Sequence, residues 1–412
     1  MAESARAAIR AFLRGRRKAE ARFLTALVKV PSDNPPGDCR AHAERAAALL
    51  RGLGLRVEKH PVPAAEARAH GMVSATNLIV RMRFGPGPVV ALNAHGDVVP
   101  PGGGWTADPY GAEVRRGWMY GRGVAVSKSD FATYAFALLA LRASGARLAG
   151  TVELHFTYDE EAGGAIGPKW LLARGLTGPD YAIAAGFSYG IVTAHNGCLH
   201  LAVEVRGKSA HAARPETGRD ALEAANAIMV ALYRLRRRYA KRRSKVPGIV
   251  HPTLVIGLIG GGINTNVVPD RVAFRLDRRM IPEENPAAVE REVVDAIRRA
   301  ARGFRGIRCV VRRILLAEPL RPVGDQARLV AAVRAAAREV LGERIRTHGV
   351  PLYTDARHYS AVGIPTIVYG AGPRTLLEAN AHRADERLKL DDLYKATEVV
   401  ALALLDLLGA KT

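Results

Sequence analysis

The 412-residue sequence predicts an α/β protein that is interrupted by a smaller α+β unit. Helical periodicity and apolar strand-like runs alternate as far as about Thr193, which is the rhythm of a layered α/β sheet. From there to Arg313 the order becomes strand-helix-strand-strand-helix-strand, a compact two-layer arrangement. The α/β rhythm then resumes. We therefore expect one domain over residues 1–192 and 314–412 and an inserted domain over 193–313.

Each predicted element follows from the period of its apolar residues and from the turn residues that bound it. In the first part we predict helices at Ala5–Val28, Ala41–Leu53 and Phe131–Ser144, and strands at Asn77–Arg83, Val89–Ala94, Thr151–Thr157 and Tyr181–Ala185. The insert is predicted to have strands at Cys198–Val205, Thr253–Leu258, Arg271–Leu276 and Ile307–Val311, and helices at Asp220–Arg236 and Ala287–Arg302. The last part adds a helix at Gln326–Val340, a strand at Thr366–Tyr369 and a helix at Asp391–Leu408.

Composition narrows the class of protein. A hydrophobic content of 48% fits a globular chain of two or more domains. Its three cysteines, Cys39, Cys198 and Cys309, are far apart in sequence, which predicts neither a disulfide framework nor a cysteine zinc site and fits a reducing cytoplasm. The arginine-rich start lacks the apolar core of a signal peptide, and no run is long enough to span a membrane.

The chain is strongly basic, with a formal net charge of +22. Such a charge raises the possibility of nucleic acid or acidic lipid as a partner. The densest basic block, Arg234 to Lys245, follows an apolar helical pattern, so we interpret it as a solvated helix end. No nucleic-acid recognition motif accompanies it, and we expect neither a nucleic-acid nor a membrane partner.

The most informative stretch is Asp159-Glu160-Glu161, which follows an apolar strand and precedes glycines. Adjacent carboxylates can divide the work of metal-assisted hydrolysis: Glu161 can hold a cation while Glu160 takes a proton from a metal-bound water. An isolated acidic triplet would be read as a solvated turn. Here, however, His95 and Asp97 follow the predicted strand Val89–Ala94. Ligands of α/β sheets bind at the carboxyl ends of strands, which is where both groups of residues are expected.

These residues belong to a longer series of motifs in chain order. They are His95-x-Asp97-x-Val99-Pro100, Gly121-Arg122-Gly123, Asp159-Glu160-Glu161, Gly207-Lys208-Ser209-Ala210-His211, Asn266-Val267-Val268-Pro269-Asp270, Thr354-Asp355-Ala356-Arg357 and Ala381-His382. With them, nearly the whole chain resembles the zinc-dependent exopeptidase and deacylase family that includes aminoacylase, acetylornithine deacetylase, succinyl-diaminopimelate desuccinylase and glutamate carboxypeptidase. The resemblance implies a three-layer α/β zinc-hydrolase domain with an inserted ferredoxin-like lid and dimerisation domain. The implied enzyme is a homodimer that cleaves an amide bond in an N-acyl amino acid or short peptide.

The resemblance also implies roles for individual residues. His95, Glu161 and His382 would be metal ligands, with one or two zinc ions bound and cobalt or manganese as possible substitutes. Asp97 would orient the site, and Glu160 would be the general base. His211 would stabilise the oxyanion across the dimer, and Asn266, Arg279 and Arg357 would hold the substrate. A surface salt bridge is the other interpretation of Arg279.

Two positions depart from the family pattern. The residue three after Gly-Arg-Gly is normally a bridging aspartate, and here it is Val126. A further acidic ligand normally follows the strand Tyr181–Ala185, and here that place is Gly186. Without these carboxylates a second cation should bind weakly, because nothing neutralises and spaces the pair.

Three residues could replace the missing ligands: Asp130, Asp355 and His358. We prefer another explanation for Asp130, because Ser127-x-x-Asp130 precedes an apolar run and is typical of a helix start with a serine cap. The sequence leaves open a mononuclear enzyme and a metal-poor relative. It also leaves two classes of function, a metallohydrolase and a non-catalytic binding protein on the same scaffold.

Overall fold

The computed structural model describes residues 2–409, which form two compact units. The first contains the described chain up to Thr193, the segment Pro322–His348 and the chain from Thr354 onward. The second contains Ala194–Arg321 and the short segment Gly349–Tyr353. Each unit has its own hydrophobic core.

The regular elements are as follows. The helices are α1 (Ala2–Val28), α2 (Arg40–Gly52), α3 (Ala64–Ala69), α4 (Lys128–Ala143), α5 (Pro168–Ala173), α6 (Ala221–Tyr239), α7 (Pro286–Ala301), α8 (Gln326–Leu341), α9 (Ala356–Ala361), α10 (Leu376–Ala379) and α11 (Leu390–Leu408). The strands are β1 (Val57–Pro61), β2 (Thr76–Arg83), β3 (Val89–His95), β4 (Glu113–Arg115), β5 (Trp118–Tyr120), β6 (Thr151–Thr157), β7 (Tyr181–Ala184), β8 (Ile191–His195), β9 (Gly197–Arg206), β10 (Thr253–Gly261), β11 (Arg271–Met280), β12 (Arg308–Ala317), β13 (Thr347–Val350), β14 (Thr366–Val368) and β15 (Arg387–Lys389).

An eight-stranded mixed sheet has the order β1-β2-β6-β3-β7-β14-β8-β13. Its centre is parallel, because β3 pairs in parallel with both β6 and β7, and β7 with β14. The carboxyl ends of β3 and β6 therefore lie side by side, with His95 opposite Thr157 in the register. This pairing brings the residues that follow the two strands to the same edge of the sheet.

Helices cover both faces of this sheet, as the alternation of side chains in β3 shows. Val90 and Leu92 join the large core that contains α1, α4, α8 and α11. Ala91, on the opposite face, packs with Tyr359 of α9. The sheet is consequently the middle of three layers, and the predicted α/β class is confirmed.

The second unit is a four-stranded antiparallel sheet of order β10-β11-β9-β12 with α6 and α7 on one face. The chain order β9-α6-β10-β11-α7-β12 gives this sheet the ferredoxin-like arrangement. Alternate residues of β9, Leu199, Leu201, Val203 and Val205, are buried beneath the two helices. The intervening residues lie on the opposite, open face.

Most predicted elements are present with ends shifted by one to three residues, and the strand Thr151–Thr157 has the predicted bounds. The basic block begins in the last turns of α6, and beyond the helix Arg242 contacts Glu284 and Glu292. Ser127 precedes α4, but its side chain makes no capping hydrogen bond, so the predicted serine cap is wrong. Among residues 2–409, no helix is both long enough and apolar enough to cross a bilayer.

Candidate active site

His95 ends β3 and is buried at the carboxyl edge of the main sheet. Its Nδ1 lies 3.0 Å from the backbone carbonyl oxygen of Asp97. A carbonyl only accepts, so Nδ1 is the donor in this contact. Burial lowers the pKa of His95, but the hydrogen bond with Asp97 and the charge of Glu160 outweigh it and raise the pKa well above its usual range. His95 Nε2 lies 3.9 Å from Glu160 Oε2, and it is the ring nitrogen that would bind a cation on release of its proton.

The Asp97 carboxylate holds the turn that contains Glu160 and Glu161, in addition to lying beside the imidazole of His95. Its Oδ2 accepts hydrogen bonds from Asn34 Nδ2 at 3.0 Å and from the backbone N–H of Glu161 at 3.1 Å, and its Oδ1 accepts from the N–H of Glu160 at 3.3 Å. Because the aspartate is fully buried, these three donors are its compensation for lost hydration. Asp97 thus holds the backbone from which both glutamates project.

Glu160 and Glu161 lie in a single 3₁₀ turn directly after β6. Burial raises the pKa of Glu160 well above its usual range; the charge of His95 opposes this rise, and the charge of Glu161 adds to it. A carboxyl group whose charged form is disfavoured by burial holds a proton more tightly than one in water, as catalytic carboxyl groups do. Glu160 has the environment of a general acid or base.

His382 lies in a turn between α10 and β15, where its φ of +60° places it in the left-handed region that residues other than glycine rarely occupy. Its Nε2 is 3.3 Å from Glu161 Oε1. The adjacent Glu161 carboxylate raises the pKa of His382, against the effect of partial burial. The chain therefore brings a second histidine to the acidic turn from more than two hundred residues away in sequence.

The donor atoms fit a divalent cation. One ligand atom each from His95, Glu160 and Glu161 lies within 4.8 Å of the other two, and a mixed imidazole and carboxylate set suits zinc and related ions. Among the described residues this cluster does not include Asp130, Asp355 or His358. With His382 beside Glu161, the site offers two histidines and two carboxylates.

Asp130 is buried in the first turn of α4, and its Oδ1 accepts a hydrogen bond of 2.8 Å from the N–H of Ala371. Burial raises the pKa of this carboxyl to about 8. A Cβ added at Gly370 would lie 1.9 Å from Asp130 Oδ1 and 2.9 Å from the backbone nitrogen of Gly186. The Asp130 carboxyl therefore lies near the backbone of Gly186.

The two departures from the resembled pattern differ in their surroundings. Val126 is partly exposed, and its N–H donates to Glu386 Oε1 at 3.2 Å. Gly186 has no room for a side chain, because a Cβ there would lie 2.3 Å from Val368 Cγ1. The local packing is adapted to glycine at this position.

Glu386 has a structural part in the site that sequence reasoning missed. It is fully buried, accepts hydrogen bonds from the N–H groups of Gly123 and Ala125 as well as Val126, and pairs with Arg122 at 2.6 Å. The Gly-Arg-Gly loop is thereby tied to the turn that carries His382. Its place four residues after the predicted ligand His382 was the available signal.

Arg357 and its neighbours fix the glycines after Glu161. Arg357 is buried and donates to the carbonyl oxygens of Gly163 at 2.6 Å and Thr354 at 2.7 Å. A Cβ at Gly164 would lie 2.4 Å from Asp355 Oδ1 and 2.6 Å from His358 Nε2. Only glycine fits beneath these side chains. The predicted substrate group Arg357 therefore uses two donors to hold the loop that follows the glutamates.

The other three predicted site residues lie in the second unit. His211 is exposed, and its Nδ1 accepts from the N–H of Ala213 at 3.1 Å. The loop of Asn266 lies beside it, because the Asn266 carbonyl accepts from the N–H of Ala212 at 2.9 Å. Arg279 forms an ion pair with Asp277 (2.9 Å), as the salt-bridge interpretation expected.

Comparisons with known proteins agree with this architecture. The family model described as peptidase family M20/M25/M40 matches residues 91–406 of this chain. The succinyl-diaminopimelate desuccinylase of Gluconacetobacter diazotrophicus is 28% identical over 395 residues, covering 93% of this chain and 95% of that protein. An M20 family metallo-carboxypeptidase from Sulfolobus solfataricus has a similar fold, with a TM-score of 0.75 at 18% identity over 94% of this chain and 99% of that one. A Bacillus subtilis protein described as a dinuclear metal binding peptidase gives 0.67 at 18% identity, over 97% and 99%.

Proposed function

The chain belongs to peptidase family M20/M25/M40 and is a metallohydrolase of amide bonds in acylated amino acids or peptides, and we propose that its catalytic centre is the cluster around Glu160. The observation that supports this proposal is the convergence of His95, Glu160 and Glu161 on one point. Family membership does not favour the alternative of a non-catalytic binding protein.

In this proposal His95, Glu161 and His382 hold the cation, for which we propose zinc, with cobalt or manganese as substitutes. A bound divalent cation supplies Lewis acidity toward the scissile carbonyl and the attacking water. Glu160 takes the proton from that water and returns it to the leaving amine, a task for which its raised pKa suits it. Asp97 positions both glutamates by holding their N–H groups.

We propose that the second unit is the lid and dimerisation domain. Because His211 Nδ1 accepts a hydrogen bond, its Nε2 carries the proton and can donate to a developing oxyanion. Asn266 and Arg279 are the proposed groups for the carbonyl and carboxylate of the substrate. Arg357, whose guanidinium holds the loop after the two glutamates, is the proposed substrate contact of the first unit.

The homodimer is supported by the free edge of the second sheet. In order β10-β11-β9-β12, β10 is an outer strand, and it contains no charged residue. Val255, Leu258 and Ile259 on it are each more than half exposed. Such an unguarded apolar edge is expected to pair with another chain.

We propose an N-acyl amino acid as the substrate, since the desuccinylase relative acts on a succinylated amino acid by its name. A cytoplasmic location is the companion proposal, because all three cysteines are free thiols.

The proposed base is tested by Glu160→Gln, which keeps the size of the side chain and removes its proton-accepting oxygen. The rate of amine release from a panel of N-succinyl and N-acetyl amino acids and dipeptides should fall by roughly 10²–10⁴-fold. Metal content should stay close to that of the unmodified protein, because His95, Glu161 and His382 are retained.

The matched control is Glu44→Gln at an exposed surface pair with Lys59, which should leave the rate unchanged. Removing metal with a chelator should abolish turnover in both the unmodified and control proteins. Activity in metal-free protein, or equal rates with and without Glu160, would show that the mechanism is wrong.

A further inference from the structure

A second group of metal-binding side chains lies on the open face of the sheet in the second unit. In the antiparallel register of β9 and β11, His200 is opposite Asp277 and Cys198 is opposite Arg279. Opposite residues share a face of the sheet, and residues two apart on one strand share it too. All four side chains consequently point to the face that α6 and α7 leave open.

Three donor atoms meet at one point there. His200 Nε2 lies 3.1 Å from Cys198 Sγ and 2.9 Å from Asp277 Oδ2, and Sγ and Oδ2 are 3.8 Å apart. Zinc–sulfur and zinc–nitrogen bonds of about 2.3 and 2.0 Å at tetrahedral angles separate neighbouring ligand atoms by about 3.4–3.6 Å. Shifts of a few tenths of an ångström would give the three atoms that spacing.

The arrangement does not suit a nucleophilic cysteine with a histidine relay. A relay uses both ring nitrogens, one toward the nucleophile and the other toward the acid. Here the thiol and the carboxylate both approach Nε2, which can share only one proton with only one of them. A cation at the common point satisfies all three donors at once.

From this geometry we propose that Cys198, His200 and Asp277 form a binding site for a thiophilic divalent cation such as Zn²⁺. On binding, the thiol proton passes to solvent, and the thiolate and carboxylate together balance the two charges of the ion. Arg279 Nε donates to both oxygens of Asp277, at 2.9 Å to Oδ1 and 3.2 Å to Oδ2, and so holds the carboxylate in place beside His200. Cys198 is fully buried, whereas His200 and Asp277 are one-third exposed, so an ion would enter from the side of these two residues.

Cobalt(II) distinguishes this site from the catalytic one. Thiolate ligands give Co²⁺ an intense charge-transfer band in the near ultraviolet, and the catalytic cluster contains no sulfur. Titrating the full-length, metal-free protein with Co²⁺ should produce this band, and added Zn²⁺ should remove it by competition. The band should be absent in Cys198→Ser and retained in Cys309→Ser, in which a partly exposed thiol is removed from elsewhere.

His200→Gln provides a second variant that keeps the thiol. It should weaken Co²⁺ binding at the band by at least about tenfold, the smallest loss typical of groups that support a metal site. Unfolding midpoints of all variants in chelator, compared with that of the unmodified protein, check that the fold is kept. No band in the unmodified protein, an undiminished band in Cys198→Ser, or unchanged affinity in His200→Gln would overturn the proposal. These outcomes are independent of the role of Glu160, because the signal follows sulfur rather than turnover.

Discussion

At the scale of single residues, the number of cations in the catalytic cluster depends on which carboxylates can be accommodated beside it. The local packing excludes any side chain at Gly186, because Val368 Cγ1 occupies the space of a Cβ. Val126 is partly exposed, and only its backbone N–H is used, by Glu386. Position 126 can therefore accept an acid in place, whereas position 186 cannot.

We predict fewer than two tightly held divalent ions per chain in the natural protein. Val126→Asp should raise the metal content measured by elemental analysis after dialysis, because it adds a carboxylate at the position where the family has its bridging acid. Val126→Asn is the matched control, since it has the same shape without the charge. Two ions in the unmodified chain, or equal gains from Asp and Asn, would contradict this prediction.

Gly186→Glu should behave differently. By itself it should lower the free energy of unfolding by about 1–3 kcal/mol, as overpacking usually does. Combining it with Val368→Ala should recover part of that loss, because the clashing methyl group is removed. Denaturant unfolding of the natural protein, the single variant and the double variant in chelator measures both effects. A stable Gly186→Glu single variant would show that the backbone yields more easily than its contacts indicate.

Some of these relations could be predicted from the sequence and others could not. The sequence places His95, Glu160 and Glu161 after strands, and parallel pairing brings strand ends together. Their roles as ligands and base stay predictions. The function of Glu386 as acceptor for a loop 260 residues earlier depends on tertiary packing. The crowding at Gly186 depends on a valine that is remote in sequence.

At the scale of elements, the start of α4 shows how burial changes a local signal. The sequence pattern predicts a serine cap and an acid stabilised by the helix dipole. In the structure Ser127 does not cap, and Asp130 turns inward to the N–H of Ala371. The desolvation of the carboxyl outweighs the dipole, so its pKa rises to about 8.

This pKa makes stability depend on pH. The unfolded carboxyl titrates near 3.8 and the folded one near about 8, so between these values only the folded protein keeps the proton. The associated stability is present below about pH 4 and is lost as the pH rises toward 8. In chelator, Asp130→Asn should therefore lose less stability than the natural protein between pH 5 and 8, as measured by denaturant unfolding at each pH. Asp295→Asn, which removes an exposed carboxyl, should follow the natural protein. Parallel curves for all three would show that Asp130 ionises freely.

The elements that sequence reasoning missed are the short ones. β4, β5 and β15 have three residues each, too few to show an alternating pattern, and they find each other only in the fold. The predicted helix end at Arg236 was three residues early, because Tyr239 is held in α6 by burial beneath the guanidinium of Arg278, 3.9 Å from the ring. Long periodic helices such as α1 and α11 were predictable because their apolar positions repeat over many turns.

At the scale of the whole molecule, the second unit is a continuous insert with one addition. The addition is Gly349–Tyr353, a short segment that follows α8 in the chain but belongs to this unit. The N–H of Gly349 donates to the carbonyl oxygen of Pro247. No periodicity marks so short a segment, so chain order alone could not assign it. The two edges of its sheet also differ: β12 carries Arg308, Arg312 and Arg313, and β10 has no charge at all.

This asymmetry predicts which edge of the sheet forms the homodimer. Leu258 and Ile259 are 61% and 58% exposed on β10, and in the described part of the chain this strand pairs only with β11. Leu258→Lys combined with Ile259→Lys places two charges on this edge. Pairing with a second copy would remove these charges from water, so the double variant should be monomeric in sedimentation equilibrium. Ile314→Lys on β12 is the matched control, because that residue is 46% exposed on the edge already guarded by arginines, and it should leave the dimer intact. A natural protein that is monomeric at micromolar concentration would refute the dimer itself. A dimer that survives the β10 variant but not Ile314→Lys would place the interface at the opposite edge.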